Sequence, residues 1–285
     1  MQDKSLIIRY LAINKFKNSE YNFTTIMAWQ FAYECEYTIA HDCLLLKGVS
    51  DGNVYFYFPL GTPENVKAVL YALIEHCKAA ELPLVLANVS DDMLAMLECV
   101  GMVDMFDKEE HRDAADYIYR REKLVSLSGK KLHGKKNHLN FFNNNYDSRL
   151  EPISDSNIAA CEKMLKAEIT ERSTRPHEEI NATFMALRYR DEFGLRSGAL
   201  FVDDFLVGVI LAEHHHDMAL IQIAKSDVSY RGASVALFQK FLSENFEDCE
   251  YVNFMEDLGL EGLRRAKLSY DPDHLIQKNM LRLKI

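Results

Sequence analysis

Long apolar runs are missing from this 285-residue chain. The longest, FLVGVILA from Phe205 to Ala212, falls far short of the roughly 20 residues that cross a bilayer, so no membrane span is expected. The opening residues, MQDKSLIIRYLAINKF, carry no basic start, apolar h-region or small-residue cleavage site. No secretory signal is therefore expected, and the expected location is the cytoplasm. No two of Cys35, Cys43, Cys77, Cys99, Cys161 and Cys249 form a CxxC pair, and most sit in apolar surroundings. They read as reduced, buried thiols, with nothing beside them to mark the lowered pKa of a nucleophile. Positive charge is scarce overall: Lys and Arg number 33 against 43 Asp and Glu, a formal net charge of -10. That balance excludes the broad basic face that duplex DNA requires, but leaves room for one small anion site. Internal repeats, low-complexity tracts, a Ser-His-Asp signature and a nucleophile elbow are absent as well.

What is present is an ordinary globular composition, 48% hydrophobic and 27% charged, in a chain long enough for two domains at about 150 residues each. CLLLKGV and VYFYF flank Ser50-Asp51-Gly52-Asn53, and the Asp-Gly pair signals a hairpin. Pro63 and Glu64 open a helical pattern with Val66, Val69, Leu70, Leu73 and Ile74 on one stripe. LPLVLANVS reads as a strand, MLAMLECV as a short helix, and Asp116 to Leu127 as a further strand. In the second half RLEPIS is a strand, IAACEKMLKAEI a helix, ERSTRPHEE a loop and INATFMALRYRDEF a helix. Three strands follow (GALFVD, FLVGVILAE, MALIQIAKSD), then a helix from near Arg231, the strand YVNFME, the helix LEGLRRAKLS and a terminal strand or helix plus strand. This order is mixed α/β (α+β), antiparallel early and with crossover helices later.

Against the acidic background one stretch is basic. SLSGKKLHGKKNHLNFF, from Ser126 to Phe142, holds four lysines and two histidines. It reads as a helix, with Lys131, Lys135 and His138 on one face and Leu132 and Leu139 on an adjacent stripe. The polar segment NNNYDS after it is the expected domain boundary, giving domains 1–145 and 146–285.

Three segments carry a resemblance: DYIYRREKLVSLSGKKLHGKKNHLNFF, SYRGASVALFQKF and YVNFMEDLGLEGLRRAKLSYDP. With the spacing between them, the chain resembles, over most of its length, the family of the phosphatidylglycerol lysyltransferase C-terminal domain, which is related to the Gcn5-related acetyltransferases (GNAT). The resemblance implies two tandem GNAT-like domains, each a mixed, mostly antiparallel sheet flanked by helices, and transfer of an acyl or aminoacyl group. In the family pattern an Arg-Glu pair follows the Asn of the third segment. Here Phe254 and Met255 follow Asn253, which puts acceptor identity, and activity itself, in question.

The candidate donor site is the helix start at Tyr230-Arg231-Gly232-Ala233-Ser234. Unpaired N–H groups and partial positive charge suit a pyrophosphate there, and glycine allows close approach. By the resemblance, pantetheine would lie along Ile223, Ala224 and Lys225. The competing reading is a glycine that simply begins a helix. Lys131, Lys135 and Lys136, with Asn253, are candidates to bind donor or tRNA phosphates; the alternative is a solvated helix face. Acyl transfer to an amine needs a base, an acid and N–H groups facing an oxyanion. Glu256 is the candidate base and Glu213 its rival, with Tyr270 the candidate acid. Asp257 is an alternative base, and the competing reading is that both carboxylates, Glu256 and Asp257, cap the helix near Leu260. His214, His215 and His216 alternate faces and read with Asp217 as a polar turn, so no metal is expected. The expected function is an acyltransferase-like protein moving an acyl group from coenzyme A to a small-molecule amine. The alternatives are an aminoacyl-tRNA-dependent aminoacyl transferase, with tRNA as partner, and a non-catalytic module that binds a phosphate-bearing ligand.

Overall fold

The computed structural model describes residues 3–284. Its chain forms two compact units, Met1–Asp116 with Ile276–Ile285, and Tyr117–Leu275. The elements of the first stretch are α1 (Lys4–Asn14), α2 (Phe23–Trp29), β1 (Glu36–Ala40), β2 (Cys43–Ser50), β3 (Asn53–Phe56), α3 (Pro63–Ala79), β4 (Val85–Val89), α4 (Asp91–Cys99) and β5 (Phe106–Glu110). The next stretch carries β6 (Asp116–Arg120), α5 (Arg121–Ser126), α6 (His133–Asn145), β7 (Ser148–Glu151), α7 (Ile158–Arg172), α8 (Pro176–Arg188) and α9 (Arg190–Phe193). After these come β8 (Arg196–Val202), β9 (Phe205–His215), β10 (Met218–Ser226), α10 (Ala233–Glu244), β11 (Tyr251–Asn253), α11 (Glu261–Leu268), β12 (His274–Ile276) and β13 (Asn279–Leu283).

Among the described residues each unit holds one mixed sheet. The first has the order β1-β2-β3-β4-β13-β5, and the second β12-β6-β11-β10-β9-β8-β7. In the first, β3 and β4 run parallel because α3 crosses between them. Thr62 starts that helix by accepting the Asn65 N–H, with Pro63 in the first turn. Val66, Val69, Leu70, Leu73 and Ile74 are buried along its length, as the spacing required. In the second sheet β10 and β11 are the parallel pair, joined by α10, which buries Val235, Leu237, Phe241 and Leu242.

Several elements depart from the sequence expectations. The strand expected over Asp116 to Leu127 ends at Arg120, where the chain turns into α5. No Gly or Pro separates the two, so the change of period went unmarked. Helix α8 begins at Pro176, inside the expected loop ERSTRPHEE, with Glu178 and Glu179 in its first turn. The expected boundary near Asn145 lies within the second unit, because β6 pairs antiparallel with β11 and draws 117–145 into that sheet's core.

The last strand returns to the first unit and closes it with a buried charge cluster. Lys278 Nζ lies 2.7 Å from Asp116 Oδ1, 2.8 Å from Glu20 Oε1 and 3.3 Å from Ser19 Oγ. Asp116 also accepts the Ser19 N–H and hydroxyl, and both charged side chains are fully buried. Removing one member of such a pair strands the other in a dry interior. Lys278→Met is therefore expected to lower stability by about 3–5 kcal/mol, read from the urea unfolding midpoint with a two-unit fit.

Candidate functional site

All sequence-predicted site residues lie in the second unit. Its sheet supplies the frame. β11 pairs with β10 only from Met218↔Tyr251 to Leu220↔Asn253, while β10 runs on to Ser226. Past Leu220, the edge of β10 facing β11 thus has no ladder partner among the described residues. The register of β10 against β9 also shifts between Ile221 and Ile223. A bulge of this kind takes one residue out of the ladder and re-aims the backbone. Gln222, the extra residue, donates its amide to Glu213 Oε1 at 2.9 Å.

The two sheet faces divide the candidates. Ala212 belongs to the core under α10, so Glu213, its neighbour along β9, points to the opposite face. It is buried there; Lys225, farther along β10, pairs with Glu179 of α8 at 2.8 Å. Ile223 is buried and Ala224 packs against the α10-side core. Tyr270, Lys135 and the start of α10 gather instead on the α10 face. Lys135 Nζ sits 3.8 Å from the centre of the Tyr270 ring. Ser234, exposed in the first turn of α10, is beside the Tyr270 hydroxyl. That hydroxyl is buried, with the Ser234 side chain its polar neighbour. Burial pushes the phenol up to about 12, partly offset by Ser234, and pushes the half-buried Lys135 ammonium down to about 8.

Gly232 has φ +92°, and its missing side chain is already used. A Cβ there would lie 2.4 Å from the His138 carbonyl oxygen of α6 and 3.0 Å from Phe142 Cβ. The glycine is thus required by helix packing as well as by backbone conformation. Arg231 lies over the Phe141 ring at 4.5 Å, and Tyr230 packs on Tyr146 at 5.4 Å. Of the lysines, Lys131 pairs with Asp271 at 2.8 Å, Lys135 is turned onto Tyr270, and Lys136 is exposed.

Behind these groups stands a loop, residues 254–260, that the sequence did not reveal as a unit. Phe254 stacks on Phe238 at 4.5 Å and on Tyr119 at 4.5 Å, filling the space beneath Tyr270. Met255 and Leu258 both take positive φ without being glycine. The buried Asn253 carboxamide accepts the Met255 N–H at 2.6 Å. Lys267 donates to the carbonyls of Phe254 at 2.6 Å, Met255 at 3.1 Å and Glu256. Asp257 is buried, takes a two-pronged hydrogen bond from Arg264 at 2.8 and 2.9 Å, and accepts Tyr117 Oη at 2.5 Å and the Gly259 N–H at 2.9 Å. Burial alone would raise its pKa, but Arg264, Tyr117 and Gly259 together hold the carboxyl well below the usual range. Asp257 is therefore a loop anchor, whereas Glu256, half-buried beside it, keeps its carboxylate outside these ties. The signal for the anchor was an Asp and an Arg seven residues apart across a helix start.

A tandem α/β chain with a bulged central strand, a diverging parallel pair and a crossover helix has the architecture of a GNAT-like transferase fold. The chain belongs to the family of the phosphatidylglycerol lysyltransferase C-terminal domain, whose model matches residues 11–282. It is similar to a conserved protein of unknown function from Bacteroides thetaiotaomicron, 31% identical, covering 99% of this chain and 97% of that one with a TM-score of 0.91. The structure of L-PGS from Bacillus licheniformis shares the fold, with a TM-score of 0.68, 13% identity and coverage of 99% and 92%. So does a tandem GNAT protein from the clavulanic acid biosynthesis pathway, with a TM-score of 0.53, 10% identity and coverage of 98% and 95%. An uncharacterised protein of Mycoplasmoides gallisepticum is 25% identical over 197 residues, 67% of this chain and 64% of its own length. Among the described residues no helix is long and apolar enough to cross a membrane.

Asp257 gives a pH signature. Its folded pKa is depressed, so its contribution to stability is present above the unfolded value of about 3.9 and is lost as pH falls toward the folded one. Asp257→Asn should flatten the acid limb of stability against pH below about 4, and Arg264→Ala should cost about 3–5 kcal/mol at neutral pH by leaving a buried carboxylate unpaired. Both are read by urea unfolding across a pH series; an Asp257→Asn chain with the parent's acid limb would remove the carboxylate from the account.

Proposed function

We propose that the second unit transfers an aminoacyl group from an aminoacyl-tRNA to an amine acceptor by direct attack. The observation carrying this reading is the buried Tyr270 hydroxyl, set beside Ser234 in the first turn of α10, with Lys135 over its ring. A phenol held near 12 stays protonated at neutral pH and is suited to give its proton to a leaving ribose hydroxyl. In the reaction the acceptor nitrogen bonds to the ester carbonyl carbon and the ester C–O bond breaks. The acceptor's proton goes to Glu256, directly or through water, and Tyr270 protonates the departing oxygen. No covalent enzyme intermediate is needed. Backbone N–H groups at the Gln222 bulge are the candidates to face the carbonyl oxygen as it gains charge.

Two features favour aminoacyl-tRNA over coenzyme A as donor. One is the lysyltransferase family. The other is the His138 carbonyl, which packs against Gly232 where a Cβ would sit and so puts an acceptor oxygen rather than a donor beside the helix start. Exposed Lys130 and Lys136 on the same basic stretch suit a phosphate backbone. The second reading, acyl-coenzyme A, rests on the open edge of β10 past Leu220, where a pantetheine amide could pair.

The test is consumption of labelled lysyl-tRNA, compared with acetyl-coenzyme A, over an amine panel. Acceptor-dependent loss of the aminoacyl ester is expected, with Tyr270→Phe lowering the rate about 100-fold at unchanged tRNA affinity. Consumption of neither donor would sink transfer altogether, and consumption of acetyl-coenzyme A alone would reverse the donor assignment. Because Lys135 loses its proton near 8, tRNA binding should weaken as pH rises through that value, and Lys135→Arg should carry it to higher pH. Filter binding over a pH series measures this.

A further inference from the structure

The hairpin that ends β9 and the turn that precedes β11 bring together three side chains with no part in the transfer site. These are His214, Asp248 and Cys249, whose donor atoms all lie within 4.8 Å of one another. They stand at the end of β10 where β11 pairs, away from the end where the two strands diverge. We propose that His214, Asp248 and Cys249 form a binding site for a zinc-type divalent cation.

Sequence alone pointed away from this site, because the run His214-His215-His216 suggested a cluster that strand geometry forbids. The structure keeps only the first of the three. His214 and Ala219 face each other in the β9–β10 register, and the side chain lies against the Phe246 ring at 4.8 Å, which orients the imidazole. Its Nε2 is 3.0 Å from both Asp248 oxygens. The other two ligands come from a tight turn. Phe246 takes φ +61°, a conformation a bulky side chain rarely adopts, and the Cys249 N–H bonds the Phe246 carbonyl at 3.0 Å. That turn carries Asp248 and Cys249, adjacent in sequence, toward the same imidazole.

The donor set selects the ion. Thiolate, imidazole and carboxylate together suit zinc and its borderline-soft relatives, whereas magnesium and calcium take oxygen ligands. Bonds of about 2.0–2.3 Å place neighbouring donors roughly 3–4 Å apart, within small side-chain rotations of what is seen here. Three protein ligands leave a fourth position for water or an exogenous group. Cys249 is buried, with its thiol pushed up to about 11 by burial and by Asp248, so binding must release its proton to solvent. Arg196 acts on both Asp248 and Cys249 and Arg121 on Cys249, and Arg196 also lies over Phe246 at 4.7 Å. Arg196 is the competing cation: a divalent ion takes over its neutralising part. Bound, the ion ties the end of β9 to the α10–β11 connection.

The experiment uses the full chain, chelator-treated, in a Cys99→Ser background because Cys99 is exposed. Calorimetry with Zn2+ should give about one ion per chain, with heat that depends on buffer ionisation as the Cys249 proton leaves. Co2+ as a spectroscopic probe should show thiolate-to-metal charge transfer. Cys249→Ser should abolish that absorption and weaken Zn2+ binding by about tenfold or more, and Arg196→Gln should tighten it. Asp248→Asn, at an exposed position, should weaken binding with no loss of fold, and covers the case in which Cys249→Ser does not fold. No saturable Zn2+ binding below millimolar, a Co2+ spectrum without thiolate character, or parent affinity in Asp248→Asn would each overturn the site.

Discussion

One ammonium group holds the loop before α11 in shape. Lys267 Nζ has three protons and meets three successive carbonyls, those of Phe254, Met255 and Glu256. Its own backbone carbonyl accepts the Tyr119 hydroxyl at 2.8 Å and the Tyr270 N–H at 3.1 Å. The side chain therefore secures the loop before α11 while the main chain secures Tyr270 after it. The loop needs such a tie. Left-handed backbone at Met255 and Leu258 costs on the order of 1–2 kcal/mol per residue, and neither has glycine's freedom. Asp257, locked by Arg264 and Tyr117, supplies the second anchor and keeps a buried charge fully compensated.

The basic stretch that stood out in an acidic chain turns out to do two different things. Its apolar stripe and backbone build the unit: Leu132 and Phe142 are buried, and the His138 carbonyl seats against Gly232 of α10. Its lysines then divide by surroundings. Lys131 is neutralised by Asp271, and Lys135 is half-buried against an aromatic face, where a cation gains from the ring's quadrupole while losing hydration. Only the outer lysines face solvent as simple charges. A substitution such as Gly232→Glu would accordingly break the α6–α10 contact before it reported on any ligand.

The sequence carried the long, strongly patterned elements well. α3, α10 and the β8–β9–β10 meander each have one period, sustained and bounded by turn residues, and burial follows it. Elements were missed where the period changes without punctuation, as between β6 and α5, or where a strand is short and exposed, as in β1, whose residues are almost all on the surface. The candidate site was legible as residue types but not as an arrangement. Tyr270, Lys135 and Ser234 lie far apart in sequence and meet because α6 packs on α10 and the chain after α11 brings Tyr270 against Phe238 of α10. The three donors around His214 were hidden for the same reason: two of them sit across a crossover helix, and the misleading histidines lie side by side.

The aromatic layer bears on the chemistry as well as the packing. Phe254 stacks on Phe238, lies tilted against Tyr119 and meets the Tyr270 ring edge-on. This apolar packing helps to bury the Tyr270 side chain, and burial pushes its phenol up to about 12. Glu256, on the edge of the loop, is only half-buried. In the transfer proposed above, acid and base would therefore differ in their surroundings: Tyr270 is enclosed, and Glu256 is partly open to solvent.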